Sequence, residues 1–180
     1  MPSAPLALSL AASFFLAIAT FVGGRCRQGY QHARHTISEL GEYGSAHTRL
    51  VSLGVFLPVG LVFAIVALLL RTDHAQIAGL SCAIAIGYLV AAAFPCDPGS
   101  PLVGSARQSL HNLGGAIEYV GGAYALLRIA ESLGPAFRVA GFVVAAAAVL
   151  LSFESAYRGF VQRVAETCLF AGLSIALWLV

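Results

Sequence analysis

His111 and Glu118 stand in a stretch, RQSLHNLGGAIEYVGGAYA (residues 107–125), that otherwise reads as a membrane helix. His111, Gly115, Glu118 and Gly122 are spaced i, i+4, i+7, i+11, which places all four on one face of a helix. Small residues let a second helix approach closely, and the ionisable pair then points into a bundle and away from lipid. Ionisable groups inside a membrane mark functional sites by default, although a His and a Glu two turns apart also serve as an interhelical hydrogen-bonding device.

Three chemistries fit the residues around this stripe. In the first, Asp97 orients His111, and the imidazole moves a proton near neutral pH. Ser38 is then the candidate nucleophile, with Glu39 in support. Arg34, Arg107 and Arg163 would hold a phosphate or carboxylate head group, which suits their forked donors, and Glu118 would complete the binding site. No GxSxG is present, and Ser38 followed by Glu39 also suits the cap of a turn. In the second, His111, Asp97 and Cys96 with His32, His35 or His47 bind a divalent metal, but from separate loops and without a recognised spacing. The metal is the weaker expectation, and no cofactor is expected. In the third, Glu118 and Glu166 are protonatable sites on a transport path. Arg163 lies three residues before Glu166, so a structural ion pair competes with that role. No inverted repeat supports transport.

The elements that must position these groups follow from hydropathy. Of 180 residues, 59% are hydrophobic and 10% charged, and the mean hydropathy is +0.86. Globular domains carry about a quarter charged residues. Apolar blocks cover residues 6–22, 51–70, 77–94, 109–129, 137–153 and 161–179, each close to the length that crosses a bilayer as a helix. The expectation is an all-α, polytopic membrane protein: a single six-span domain over residues 1–180, with no water-soluble domain before or after the spans. The first block lacks a basic leader and is followed by Arg25 and Arg27, so it reads as a retained span. Pro58 predicts a kink in the second block. Six spans bring loops one, three and five to one side, and with them Arg34, Ser38, Glu39, Cys96, Asp97, Arg107, Arg158 and Arg163. A polar mouth floored by His111 and Glu118 results.

Composition also excludes. Every basic side chain is Arg and the net charge is +2, with no basic run, so nucleic-acid binding has no support. The four cysteines lack CxxC or zinc-finger spacing. Cys82 and Cys168 read as packing residues inside apolar blocks. A two-haem cytochrome needs paired intramembrane histidines, and only His111 lies inside a span.

Four motifs at span ends carry a resemblance: Thr36-Ile37-Ser38-Glu39-Leu40-Gly41, Phe94-Pro95-Cys96-Asp97-Pro98-Gly99, His111-Asn112-Leu113-Gly114-Gly115 and Gly159-Phe160-Val161-Gln162-Arg163. In this order they resemble the prokaryotic membrane family of domain of unknown function 998 over nearly the whole chain, a likeness that implies no activity. More distantly, Ile37 to Gly41 and His111 to Tyr119 resemble motifs of the Frag1/DRAM/Sfk1 six-span family, with Glu39 where that family has Asp and no counterpart for Phe94 to Asp97. Some members of that family are associated with remodelling of lipid anchors, which implies a lipid-handling role.

Seven of the ten arginines lie on the motif side, which the positive-inside rule places in the cytoplasm, whereas the remote likeness implies the opposite side. In an oxidising compartment Cys26 and Cys96 could pair; in the cytoplasm they stay reduced. Both orientations stay open. The expected protein lies in the plasma membrane of a bacterium, meets membrane lipid as its partner, and has a homo-oligomer as an option. A lipid-modifying hydrolase or transferase leads. A non-catalytic lipid-binding or proton-coupled transport protein, or a structural membrane subunit, is the alternative.

Overall fold

The computed structural model describes residues 3–180, so the first two residues of the expected domain lie outside the described residues. Among the described residues there are six long helices: α1 (Ala4–Cys26), α2 (Thr48–Leu70), α3 (Ala75–Ala93), α4 (106–133), α5 (Pro135–Leu151) and α6 (Arg158–Leu179). No strand occurs among the described residues. The protein is an all-helical membrane bundle. Four helices, α1, α2, α3 and α6, are long and apolar enough to cross a bilayer; α5 is apolar but has 17 residues, and α4 opens on a polar half.

The helices close a ring in chain order, with α1 also against α6 and with α3 and the second half of α4 touching α6 across the middle. Aromatic edges knit the centre: Phe63 of α2 meets Phe170 of α6 at 5.1 Å, and Tyr88 of α3 meets Phe170 at 5.8 Å. The outer surface is apolar. Phe14, Ile18, Leu61, Leu68, Phe142 and Trp178 all face outward, as side chains solvated by acyl tails do. Helix α1 is tied in by Ser9 Oγ, 3.0 Å from Ser174 Oγ on α6.

Two helices carry π turns. In α2 the turn is Ser52–Phe56, immediately before Pro58. The proline removes a donor and crowds the carbonyl four residues back, and the wide turn absorbs that defect while the helix continues to Leu70. In α4 the turn is Ile117–Gly121, between regular segments Ala106–Ala116 and Gly122–Leu133. Its extra residue rotates the following face. The ideal-helix stripe therefore splits: His111, Gly115 and Glu118 border a cavity, while Gly122 packs on Leu169 of α6. A Cβ at Gly122 would lie 2.4 Å from Leu169 Cδ2.

Candidate functional site

Loop one is built locally before it meets anything else. Thr36 and Glu39 form a reciprocal cap, with Thr36 N–H donating to Glu39 Oε1 at 2.7 Å and Glu39 N–H donating to Thr36 Oγ1 at 3.3 Å. This starts the 3₁₀ turn Ser38–Gly41 and buries Glu39. The cap is thus Thr36, and the Ser38 hydroxyl is left free of it. Arg163 of α6 holds the loop from the other side, donating to the carbonyls of His32 at 2.6 Å and His35 at 3.0 Å and to Tyr30 Oη at 2.7 Å. Gln162 Oε1 accepts the N–H of Ile37 at 2.6 Å.

The freed Ser38 Oγ lies 3.0 Å from His111 Nε2, and His111 Nδ1 lies 2.9 Å from the carbonyl oxygen of Phe94. A carbonyl can only accept, so the proton sits on Nδ1. Nε2 is then the acceptor and Ser38 O–H the donor. A serine hydroxyl, an imidazole and a third group fixing the imidazole's tautomer are thus in hydrogen-bond contact, the geometry that a serine nucleophile and its general base would require. Here the third group is a backbone carbonyl at the end of α3.

Asp97 does not meet His111. Its carboxylate accepts the backbone N–H and the hydroxyl of Ser105, each at 2.8 Å, and pairs with Arg107 at 2.5 Å. Ser105 in turn caps α4 by accepting from Gln108 N–H at 3.2 Å. These contacts, Ser105 N–H first, then its hydroxyl and Arg107, hold the Asp97 carboxyl below the usual carboxylate value. Asp97 therefore braces the entry to the helix that carries His111. Arg107 completes that brace by donating to the carbonyl of Pro95 at 3.0 Å and lying 3.5 Å from the ring centroid of Tyr43.

A cavity of about 420 Å³ opens beside the Ser38–His111 pair. Ser38, His111 and Arg158 lie at its polar end, and Glu118, Gly87 and Tyr119 line it further along. Its flank between α4 and α5 includes Val120, Leu151 and Ser152, of which Val120 and Ser152 are exposed on the outside of the bundle. Ser152 ends α5 at the loop side, whereas Val120 lies on the outer face of α4, so the cavity reaches the lateral surface of the bundle there.

Of the eight residues expected at the site, three border this cavity: Ser38, His111 and Glu118. Arg34 is exposed, and its backbone carbonyl takes the N–H of Gly159. Glu39, Asp97 and Arg107 are taken up in bracing the loops. Arg163 clamps loop one and borders a separate groove with Ser13, Phe21, His32 and Thr167. The expected Arg163–Glu166 ion pair is replaced. Glu166 instead accepts from Tyr88 Oη at 2.9 Å and Tyr119 Oη at 2.8 Å, because the guanidinium turns toward the loop carbonyls.

Arg158, which the sequence brings to the polar mouth without a role there, borders the cavity. Its Nη1 donates to the Ser100 carbonyl at 2.8 Å, while its Nε is buried without a partner. Ser100 holds a left-handed backbone, φ 47°, after Gly99 at φ 75°, a conformation uncommon for a residue with a Cβ and frequent at functional sites. The Pro-Gly-Ser-Pro run was the available signal.

Among the described residues, no three His, Cys, Asp or Glu side chains come together as metal ligands. Cys26 and Cys96 are separate thiols; Cys96 is fully buried, and burial with nearby Glu42 pushes it up to about 12.

A membrane bundle with a polar, laterally open cavity is thus the class the fold defines. The chain belongs to the family described as Protein of unknown function (DUF998), which matches residues 10–179. No curated protein and no solved structure matches the chain.

Proposed function

We propose that the protein is a lipid-modifying acyl hydrolase or transferase of a bacterial plasma membrane, with Ser38 as nucleophile and His111 as general base. The observation that carries this reading is the Ser38–His111–Phe94 carbonyl chain beside a cavity that reaches the lateral surface of the bundle at Val120. Ser38 Oγ attacks the carbonyl carbon of a lipid ester as its proton passes to His111 Nε2. The ester C–O bond then breaks, and the His111 imidazolium returns that proton to the departing alcohol. In the second half, water or a second alcohol attacks the acyl-serine and gives its proton to His111, which passes it to Ser38 Oγ as the acyl C–O bond breaks, releasing the acid or the new ester and restoring the Ser38 hydroxyl and neutral His111. Arg158 offers its charge to an anionic head group.

The test is turnover of total membrane lipid by the purified protein, followed by lipid mass spectrometry. Wild type yields a product with one acyl chain removed or moved. Ser38→Ala and His111→Ala each lower its formation by at least about 100-fold. Equal lipid binding without product in wild type would replace catalysis with lipid binding.

A further inference from the structure

We infer that the cavity is built for a zwitterionic lipid head group, with its phosphate on Arg158 and a primary ammonium on Glu118. This deepens the reading above, resting on it only for the chemistry at Ser38.

Among the described residues, four buried side-chain polar atoms lack a hydrogen-bond partner, and two of them belong to residues of this one cavity. One is Arg158 Nε, a cationic donor; the other is Glu118 Oε1, a carboxyl acceptor. A buried polar group without a partner costs about 1–3 kcal/mol, more when charged, so two of opposite character in one cavity call for a ligand that answers both. Glu118 has 5% of its surface exposed. Its carboxyl is seated where α3 has no side chain: a Cβ on Gly87 would lie 2.2 Å from Glu118 Oε2. The π turn Ile117–Gly121 also lies at this residue, as such turns often do at functional sites.

The neighbours of Glu118 offer it no cation. Glu166 is also buried, and its two oxygens are taken by Tyr88 and Tyr119. Gln162 Nε2 donates to Tyr119 Oη at 3.1 Å rather than to Glu118. Two buried carboxyls thus share the interior; Arg163 lies near Glu166 without an ion pair to it, and among the described residues Glu118 has no guanidinium or imidazole partner, so its donor would come from a ligand in the cavity. A primary ammonium brings both the charge and N–H groups. A quaternary ammonium brings the charge without the N–H, and a polyol brings hydroxyls without the charge. The exposed Val120 on the outer face of α4 among the lining residues favours a head group carried by a lipid over the same group free in water.

The test measures lipid retention by the full chain in nanodiscs containing equal amounts of phosphatidylethanolamine, phosphatidylglycerol and phosphatidylcholine, read by native mass spectrometry. Wild type should retain phosphatidylethanolamine at least about tenfold over the other two. Glu118→Gln should abolish that preference while keeping phosphatidylglycerol bound, and Arg158→Gln should weaken both. Soluble phosphoethanolamine in 100-fold excess should not displace the lipid; displacement would overturn the lipid source. Equal retention of the three lipids by wild type, or a preference that survives in folded Glu118→Gln, would overturn the inference. Should that variant fail to fold, the wild-type ranking still decides. The ranking is independent of turnover: lost product formation with the ranking intact sinks the Ser38 chemistry alone, and the reverse result sinks the head-group assignment alone.

Discussion

At the scale of single residues, function turns on which polar groups are spent on structure and which are left free. Asp97 and His111 attract attention together in the sequence because their types suit an acid–base pair. The structure spends Asp97 on Ser105 and Arg107 and leaves His111 to Ser38 and a backbone carbonyl. Asp97→Asn should therefore lower thermal stability while the folded fraction retains turnover. The pH dependence separates the two roles. The Asp97 carboxyl is lowered in the folded state, so its contribution is complete above the ordinary carboxylate value near ~4 and is lost as pH falls through its lower folded value. Acid unfolding of Asp97→Asn should lack that component, as a comparison of melting between pH 3 and pH 6 would reveal. Arg163 is the larger structural investment. Removing it takes the donor from the His32 carbonyl and one of two donors from that of His35, and Arg163→Ala should cost about 2–4 kcal/mol by denaturant titration.

At the scale of elements, glycines decide how helices and loops meet. A Cβ on Gly159 would lie 2.3 Å from the His35 carbonyl oxygen and 2.5 Å from that of His32. Backbone at that distance cannot give way without moving loop one off α6. Gly159→Ala should therefore destabilise the protein by about 1–3 kcal/mol and displace Ser38 from His111. Gly115 is the contrasting case. A Cβ there meets nothing within 4 Å because the position faces the cavity. Gly115→Leu should leave the melting temperature nearly unchanged while blocking turnover and lipid retention, a split that purified protein would show directly. The π turn in α4 gives no sequence signal, since its residues suit an ordinary helix. A stripe drawn with 3.6 residues per turn therefore placed Gly122 beside Glu118, where the structure turns it onto Leu169.

At the scale of the whole molecule, the six helices and the joining of loops one, three and five at one end were legible because apolar blocks of membrane length repeat along the chain. The Ser38–His111 contact was not, because it joins residues 73 apart through a loop whose own cap fixes the serine. Nor could residue type distinguish Arg158, with its open Nε, from Arg107 and Arg163, whose donors are consumed by carbonyls, a carboxylate and a phenol. Cys26 and the cavity share the same end of the bundle. A membrane-impermeant maleimide should thus label Cys26 only from the face that carries Ser38, while Cys96, buried and held protonated, stays unlabelled in the folded protein.

The most direct test of the central claim is the site of covalent labelling by an alkyl fluorophosphonate, read by peptide mass spectrometry on the membrane-embedded protein. An adduct on Ser38 in wild type that disappears in His111→Ala is the result expected of a serine activated through His111 Nε2. No adduct on Ser38, or an adduct formed equally well in folded His111→Ala, would contradict it.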